Sequence, residues 1–174
     1  MTQNRDVSEE AVYMLGYYAR VQTLIEMLVQ LRLRQLPDVR DGLGPAYFDQ
    51  MSDASRKRWL KSLGTAAVDQ PLGSRLESVY AQVADVRNHI SHAPLNIHLN
   101  ADDNPDEIRV GSTRWMDKPL PSPADISLAQ ARLLWLELWI VWLLAGLETV
   151  KPFQKREGSW ETLEPERPPL TPPR

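Results

Sequence analysis

The feature that most constrains the fold is an apolar repeat between residues 72 and 90. Its members follow one another at alternating spacings of four and three: Leu72, Leu76, Val79, Val83, Val86 and Ile90. Because an α-helix turns once every 3.6 residues, this spacing puts all six on one face. A seam of this kind is typical of a helix that packs against other helices. The sequence therefore predicts a helix over about 72–91.

Three further helices are predicted from apolar periodicity and from helix-end signals. Asp6 and Glu9 have the spacing of a capping box at the start of the first helix. Ser122, Pro123 and Asp125 supply an N-cap, a proline at N1 and an acid at N3 for the last helix. The four predicted helices cover about 6–36, 52–63, 72–91 and 122–150.

The segments between and after these helices carry different signals. Residues 95–99 alternate between apolar and polar types, and Ile108 to Val110 follow an acidic turn, which predicts a small β-hairpin. Residues 152–174 are rich in proline and poor in apolar side chains. The fold class predicted is an all-α bundle of four to five helices over residues 1–151, with a small β-hairpin insert and a disordered, flexible C-terminal tail over 152–174.

Bulk properties exclude some classes of site. A chain of 174 residues with no cysteine forms no disulfide or thiolate metal site, and we expect one domain in the cytoplasm. The net charge of −3 does not attract nucleic acid, so any contact with RNA has to come from a local patch. The candidate patch is a run of basic residues from Arg56 to Lys61, with Trp59 as a stacking surface for bases. The alternative is that this run is simply a solvated helix face. Its RNA-binding candidates are Arg56, Lys57, Arg58 and Lys61.

An apolar run from Leu133 to Leu147 raises the question of a membrane span. The run is shorter than the roughly 20 apolar residues that a bilayer requires, and it contains Glu137. The first ten residues are polar and lack the apolar core of a signal peptide. We therefore expect a buried core helix or an interface helix, and no membrane association.

The side chains best suited to catalysis lie at the end of the predicted 72–91 helix, in the segment Arg87-Asn88-His89-Ile90-Ser91-His92. Arginine can clamp a phosphate in a planar fork, and histidine exchanges a proton near neutral pH. Asn88 and His92 are four residues apart, so Asn88 could orient the imidazole. These types suit chemistry on an RNA phosphodiester.

The spacing of the motif sets a geometric condition. Arg87 and His92 are five residues apart, which is about 140° around an ideal helix. Either the chain unwinds ahead of Pro94, or two subunits build a composite site. The second route predicts a homodimer with an interface at the helix end that carries Val83, Val86 and Ile90.

Two other interpretations of this helix end stay open. Basic groups near the end of a helix interact favourably with its dipole whether or not they do chemistry. His89, His92 and His98 are a conceivable zinc set, although no cysteine accompanies them. The absence of a nuclease-like carboxylate cluster near the motif favours a site without metal or cofactor.

An arginine followed by asparagine, with a histidine four residues after the asparagine, resembles the Rx4-6H motif of the HEPN superfamily. Six residues carry this resemblance, placed at the end of a helix in an all-α domain. The resemblance implies a metal-independent endoribonuclease that acts as a homodimer. It implies His92 as acid/base, Arg87 as phosphate binder and Asn88 as an orienting group.

The resemblance also implies a biological setting, namely a toxin or antiviral defence effector with RNA as substrate and an antitoxin or defence-complex protein as partner. Two rival functions stay open. One is a catalytically silent HEPN-like module that binds RNA, nucleotide or a protein partner. The other is a helical adaptor whose aromatic last helix docks on a larger complex.

Overall fold

The computed structural model describes residues 3–35, 51–92, 121–147 and 165–174, and the backbone of short strands between 95 and 162; side chains are described from residue 9. Four α-helices form the body of the described chain. They are α1 (Gln3–Arg34), α2 (Asp53–Ala67), α3 (Gln70–His92) and α4 (Pro123–Ala145). The all-α class and the four predicted helices are confirmed.

Two antiparallel strand pairs accompany the helices. Strand β1 (Leu95–Leu99) pairs with β2 (Asp106–Val110), and β3 (Phe153–Arg156) pairs with β4 (Ser159–Thr162). The side chains of these strands lie outside the described residues, so the packing of a hairpin insert against the helices stays a prediction. The fold class rests on the four helices.

Helices α1 and α4 lie side by side and run parallel. Gln130 donates to the carbonyl of Glu10 at 3.2 Å, and two turns further along both helices Tyr17 donates to Glu137 at 2.5 Å. The core between the helices is apolar throughout the described chain. Its largest fully buried side chains are Met14, Tyr18, Ile25, Leu28, Leu60, Leu72, Leu76, Tyr80, Ile126, Leu133, Leu136 and Trp139.

Helices α2 and α3 form a tight antiparallel hairpin because two glycines let them approach. A Cβ on Gly64 would lie 2.7 Å from Cδ1 of Leu76 and 3.0 Å from Cα of Gly73. A Cβ on Gly73 would collide with the carbonyl oxygen of Lys61 and with Thr65. This close approach fixes α3, the motif helix, against α2.

Local capping residues mark the N-termini of α2 and α4, but the predicted cap of α1 does not. Ser122 and Asp125 form the predicted capping box of α4, with the Ser122 hydroxyl accepting from the Asp125 amide at 3.2 Å. Ser52 caps α2 through its hydroxyl alone, which accepts from the Ser55 amide at 3.2 Å. The prediction of Asp6 as a cap is wrong, because α1 already begins at Gln3.

Helix α4 is the core helix that the apolar run predicts. Leu133, Trp135, Leu136 and Trp139 are at most 3% exposed. By length and composition alone this helix could also cross a membrane, a property shared by many core helices, and 44% of its most apolar window is buried within the protein.

The predicted dimer face at the end of α3 is only partly exposed within one copy of the protein. Val83 is fully buried in the protein's own core, and Val86 and Ile90 are partly buried against it. The apolar seam is used inside the chain, since it packs α3 against its neighbouring helices. A homodimer through the exposed parts of Val86 and Ile90 stays a prediction.

The last ten residues correct the prediction of a disordered tail for that part of the chain. Pro168 is buried, and the carbonyl of Pro169 accepts hydrogen bonds from the indoles of Trp135 and Trp139. Low apolar content does not prevent docking here, because the segment contributes carbonyl acceptors to buried indole donors that need them.

Candidate active site at the end of α3

Arg87 is held in one position by two neighbours. Its Nη1 donates to Oδ1 of Asn88 at 2.7 Å, and its Cζ lies 5.5 Å from the centre of the Tyr18 ring on α1. The side chain is partly buried. Within residues 9–35, 51–92, 121–147 and 165–174, no carboxylate forms an ion pair with it. A fixed guanidinium without a carboxylate partner is suited to receive an anion.

His92 lies in the last turn of α3 and is exposed. The helix continues through this residue, so the unwinding that would bring His92 round to Arg87 does not occur by residue 92. Five residues of regular helix separate the two side chains by about 140° and a rise of about 7.5 Å. The structure thus brings Arg87 and Asn88 together, whereas His92 is turned away from Arg87 on the face of the helix that Asn88 shares.

The zinc alternative has limited support. No group of three potential ligands is placed to hold a metal ion in the part of the chain where side chains are described. His98 lies on β1 and its side chain is outside that part. His89 is partly buried on α3.

A polar cluster underlies Arg87 and connects three helices. The Tyr18 hydroxyl donates to the Tyr80 hydroxyl at 3.0 Å, and Tyr80 donates to Oδ1 of Asp53 at 2.8 Å. The same oxygen accepts from Gln22 at 2.9 Å and from Arg56 at 3.1 Å. We call these five residues the tyrosine–aspartate cluster. It joins α1, α2 and α3 directly below the guanidinium of the motif.

The electrostatics of the cluster keep Asp53 charged and the tyrosines neutral. Burial by itself would raise the pKa of Asp53, but the hydrogen bonds from Tyr80 and Gln22 and the charge of Arg56 outweigh burial and lower the pKa. Burial raises the pKa of Tyr18 to about 12, and burial with the neighbouring Tyr18 raises the pKa of Tyr80 further. The cluster is a fixed donor–acceptor chain at neutral pH.

Two of the four basic residues in the run on α2 pair with carboxylates. Arg56 has a side chain only 12% exposed and pairs with both Glu26 and Asp53. Lys61 pairs with Glu77 of α3 at 2.8 Å. These two RNA-binding candidates have carboxylate partners because the hairpin places α2 against acidic groups of α1 and α3, and RNA contact by either stays a prediction.

The other two members of the run lie differently. Arg58 is exposed, and its Nε donates to the carbonyl of Ala54 one turn earlier. Lys57 is partly buried and forms no ion pair with a described carboxylate. Arg58 also borders a shallow cleft with Trp59, the residue predicted as a stacking surface. RNA contact by Lys57 and Arg58 stays a prediction.

Sequence reasoning missed the tyrosine–aspartate cluster. Tyr18 and Tyr80 lie on apolar stripes and look like core residues, and Asp53 looks like an acid in the first turn of a helix. The available signal was that buried tyrosine hydroxyls need partners. Which partners they find depends on how the helices pack.

Comparisons with known proteins supply no relative: no family model, no curated protein and no solved structure matches the chain.

Proposed function

We propose that the chain is a metal-independent endoribonuclease of HEPN type that works as a toxin or antiviral effector in the cytoplasm. Arg87 would bind the scissile phosphate, His92 would transfer protons, and Asn88 would hold the guanidinium. The observation that carries the proposal is the state of Arg87: partly buried, fixed by Asn88 and Tyr18, and without a carboxylate partner among the described residues.

The contrast with Arg56 gives that observation its weight. Arg56 is just as firmly held, yet it is neutralised by two carboxylates. A guanidinium that is removed from bulk water gains most from a charge-assisted, bidentate contact with an anion. A phosphodiester supplies such an anion, and its oxygens match the fork of the guanidinium.

The reaction uses the 2′-hydroxyl of RNA as the nucleophile. A histidine removes its proton, the oxygen attacks the adjacent phosphorus, and the 5′-oxygen leaves with a proton, so that a 2′,3′-cyclic phosphate and a 5′-hydroxyl result. General acid–base catalysis of this kind contributes about 10²–10⁴-fold, and a fixed cation on the phosphate oxygens adds to it. DNA lacks the nucleophile and is spared.

The angle between Arg87 and His92 favours a two-copy site. A single regular helix does not present both side chains to one phosphate. In a homodimer, Arg87 of one copy and His92 of the other could face the same substrate. Exposed apolar residues on α1 and α4, among them Val12, Tyr13, Leu134 and Leu138, are a separate surface that could contact a second copy. A monodisperse monomer at micromolar concentration in sedimentation would contradict the homodimer.

The test is cleavage of total RNA in excess EDTA, with analysis of product ends. We expect activity in wild type, and loss of at least about 100-fold in His92→Ala and in Arg87→Ala. Arg87→Lys keeps the charge but loses the fork and should also be impaired. Arg34→Ala is the matched control, because Arg34 is exposed at the far end of α1.

The outcomes separate the proposal from its main rival. Cleavage that vanishes on chelation, or products with 5′-phosphates, would overturn the mechanism. Full activity in His92→Ala would overturn the site. RNA binding without cleavage, weakened by Arg87→Ala but not by His92→Ala, would instead identify a silent HEPN-like binding module.

A further inference from the structure

The C-terminal segment, residues 165–174, lies in a groove between α3 and α4. Pro169 accepts hydrogen bonds from the indole Nε1 of Trp135 at 2.7 Å and of Trp139 at 3.3 Å. Arg75 of α3 donates to the carbonyl of Leu170 at 2.9 Å. Pro168, the residue before these two, is buried. The segment is therefore anchored at three successive residues.

These contacts use features that every proline-rich peptide has. All three hydrogen bonds end on backbone carbonyls, and the buried side chain is a proline. Proline has no N–H to satisfy and favours the extended polyproline II conformation, in which carbonyls point outward. Aromatic grooves with indole donors are a recurrent way of binding such peptides. The Arg167 guanidinium lies 5.9 Å from the centre of the Trp139 ring and adds a side-chain contact.

The groove also holds a donor that the segment leaves unused. Arg132 of α4 lines the same cleft as Arg75, and its buried Nε makes no hydrogen bond within the described residues. A buried donor without an acceptor costs free energy, so a ligand that supplies one would gain affinity. The groove is thus not fully satisfied by the chain's own segment.

We propose that this groove is a binding site for proline-rich peptides, occupied here by residues 165–174, and that a proline-rich segment of a partner protein competes for it. Residues 148–164 connect the segment to α4. Because these residues keep the segment and the groove in one molecule, the segment competes intramolecularly with a peptide added in trans. A peptide added in trans is therefore held off by the tethered segment until that segment is weakened.

The experiment uses the full chain and a fluorescently labelled synthetic peptide with the sequence of residues 165–174. Pro168→Asp in the full chain should release the segment, because a charge would have to be buried where proline is now. Glu166→Ala is the matched control, since Glu166 is exposed on the same segment. Circular dichroism reports whether each variant is folded.

The labelled peptide should bind Pro168→Asp at least about tenfold more tightly than wild type or Glu166→Ala, since tethered competition is removed. Adding Arg75→Ala to Pro168→Asp should weaken binding about fivefold, the effect of one hydrogen bond. A glycine–serine peptide of equal length should not bind.

Three results would overturn the proposal. Equal binding to wild type and Pro168→Asp would mean that the groove is not opened by releasing the segment. Equal binding of the glycine–serine peptide would remove the proline preference. Unfolding of Pro168→Asp would make the segment an integral part of the core. None of these results bears on RNA cleavage.

Discussion

The guanidinium of Arg87 lies over the ring of Tyr18, with Cζ 5.5 Å from the ring centre, and the Tyr18 hydroxyl is fixed by Tyr80. Tyr80 is in turn fixed by Asp53. The position of the candidate phosphate-binding group on α3 therefore depends on side chains from α1 and α2. Three elements that are far apart in the sequence set the geometry of one cation.

Replacing Tyr18 tests this dependence. Tyr18→Phe keeps the ring under Arg87 and removes one hydrogen bond, so the free energy of unfolding should fall by about 1 kcal/mol. Tyr18→Leu also removes the cation–π contact and leaves a cavity, so its free energy of unfolding should fall by about 3 kcal/mol. Urea denaturation measures both. RNA cleavage should fall further in Tyr18→Leu than in Tyr18→Phe, and equal cleavage by both variants would contradict a role of the ring.

The stability of the protein should fall at acid pH through Asp53. The pKa of Asp53 is lowered in the folded protein because hydrogen bonds and Arg56 outweigh burial. Its contribution is therefore fully present above the unfolded value of about 3.9 and is lost as the pH falls through the folded pKa. Asp53→Asn should lower the free energy of unfolding by about 2 kcal/mol at pH 7. Below pH 4, the stability of this variant should decline less than that of wild type.

The measurement for Asp53 is the urea midpoint between pH 7 and pH 3. Asp85→Asn, an exposed position on α3, is the matched control and should follow wild type. An acid decline of the same size in Asp53→Asn and wild type would show that other carboxylates carry it.

The glycines of the chain should respond to alanine in opposite ways. Gly73→Ala places a methyl group against the carbonyl of Lys61 and should cost about 3 kcal/mol, because backbone cannot move aside. Gly16→Ala meets nothing within 4 Å inside α1 and should stabilise by up to about 1 kcal/mol. Thermal melting of the two variants distinguishes these signs, and a neutral Gly73→Ala would mean that α2 and α3 are not so close.

The two arginines of the basic run should also differ. Arg56→Ala leaves Glu26 and Asp53 without their cation and should cost about 2 to 3 kcal/mol of stability. Arg58→Ala should change stability by less than about 0.5 kcal/mol, because the side chain is exposed. In an RNA-binding titration only Arg58→Ala is expected to weaken affinity with the fold intact. Unchanged RNA affinity in that variant would remove this face from the RNA interface.

The sequence by itself located all four helices, although it misplaced the start of α1. The apolar spacing predicted α3, and the cap signal of Ser122 and Asp125 predicted the first residue of α4 correctly. Both signals are local, because capping hydrogen bonds and the burial of one helix face involve residues a few positions apart. The chain also shows the candidate motif in Arg87, Asn88 and His92, since that pattern lies within two helical turns.

Only the tertiary structure decided how those helices use their side chains. Arg56 became an ion pair, Val83 a core residue and Pro169 an acceptor for two indoles, none of which follows from local sequence. Each outcome depends on contacts between residues about 30 or more positions apart or between different helices. Whether a side chain is buried, paired or hydrogen-bonded depends on which residues lie next to it. Those neighbours are set by how the helices pack.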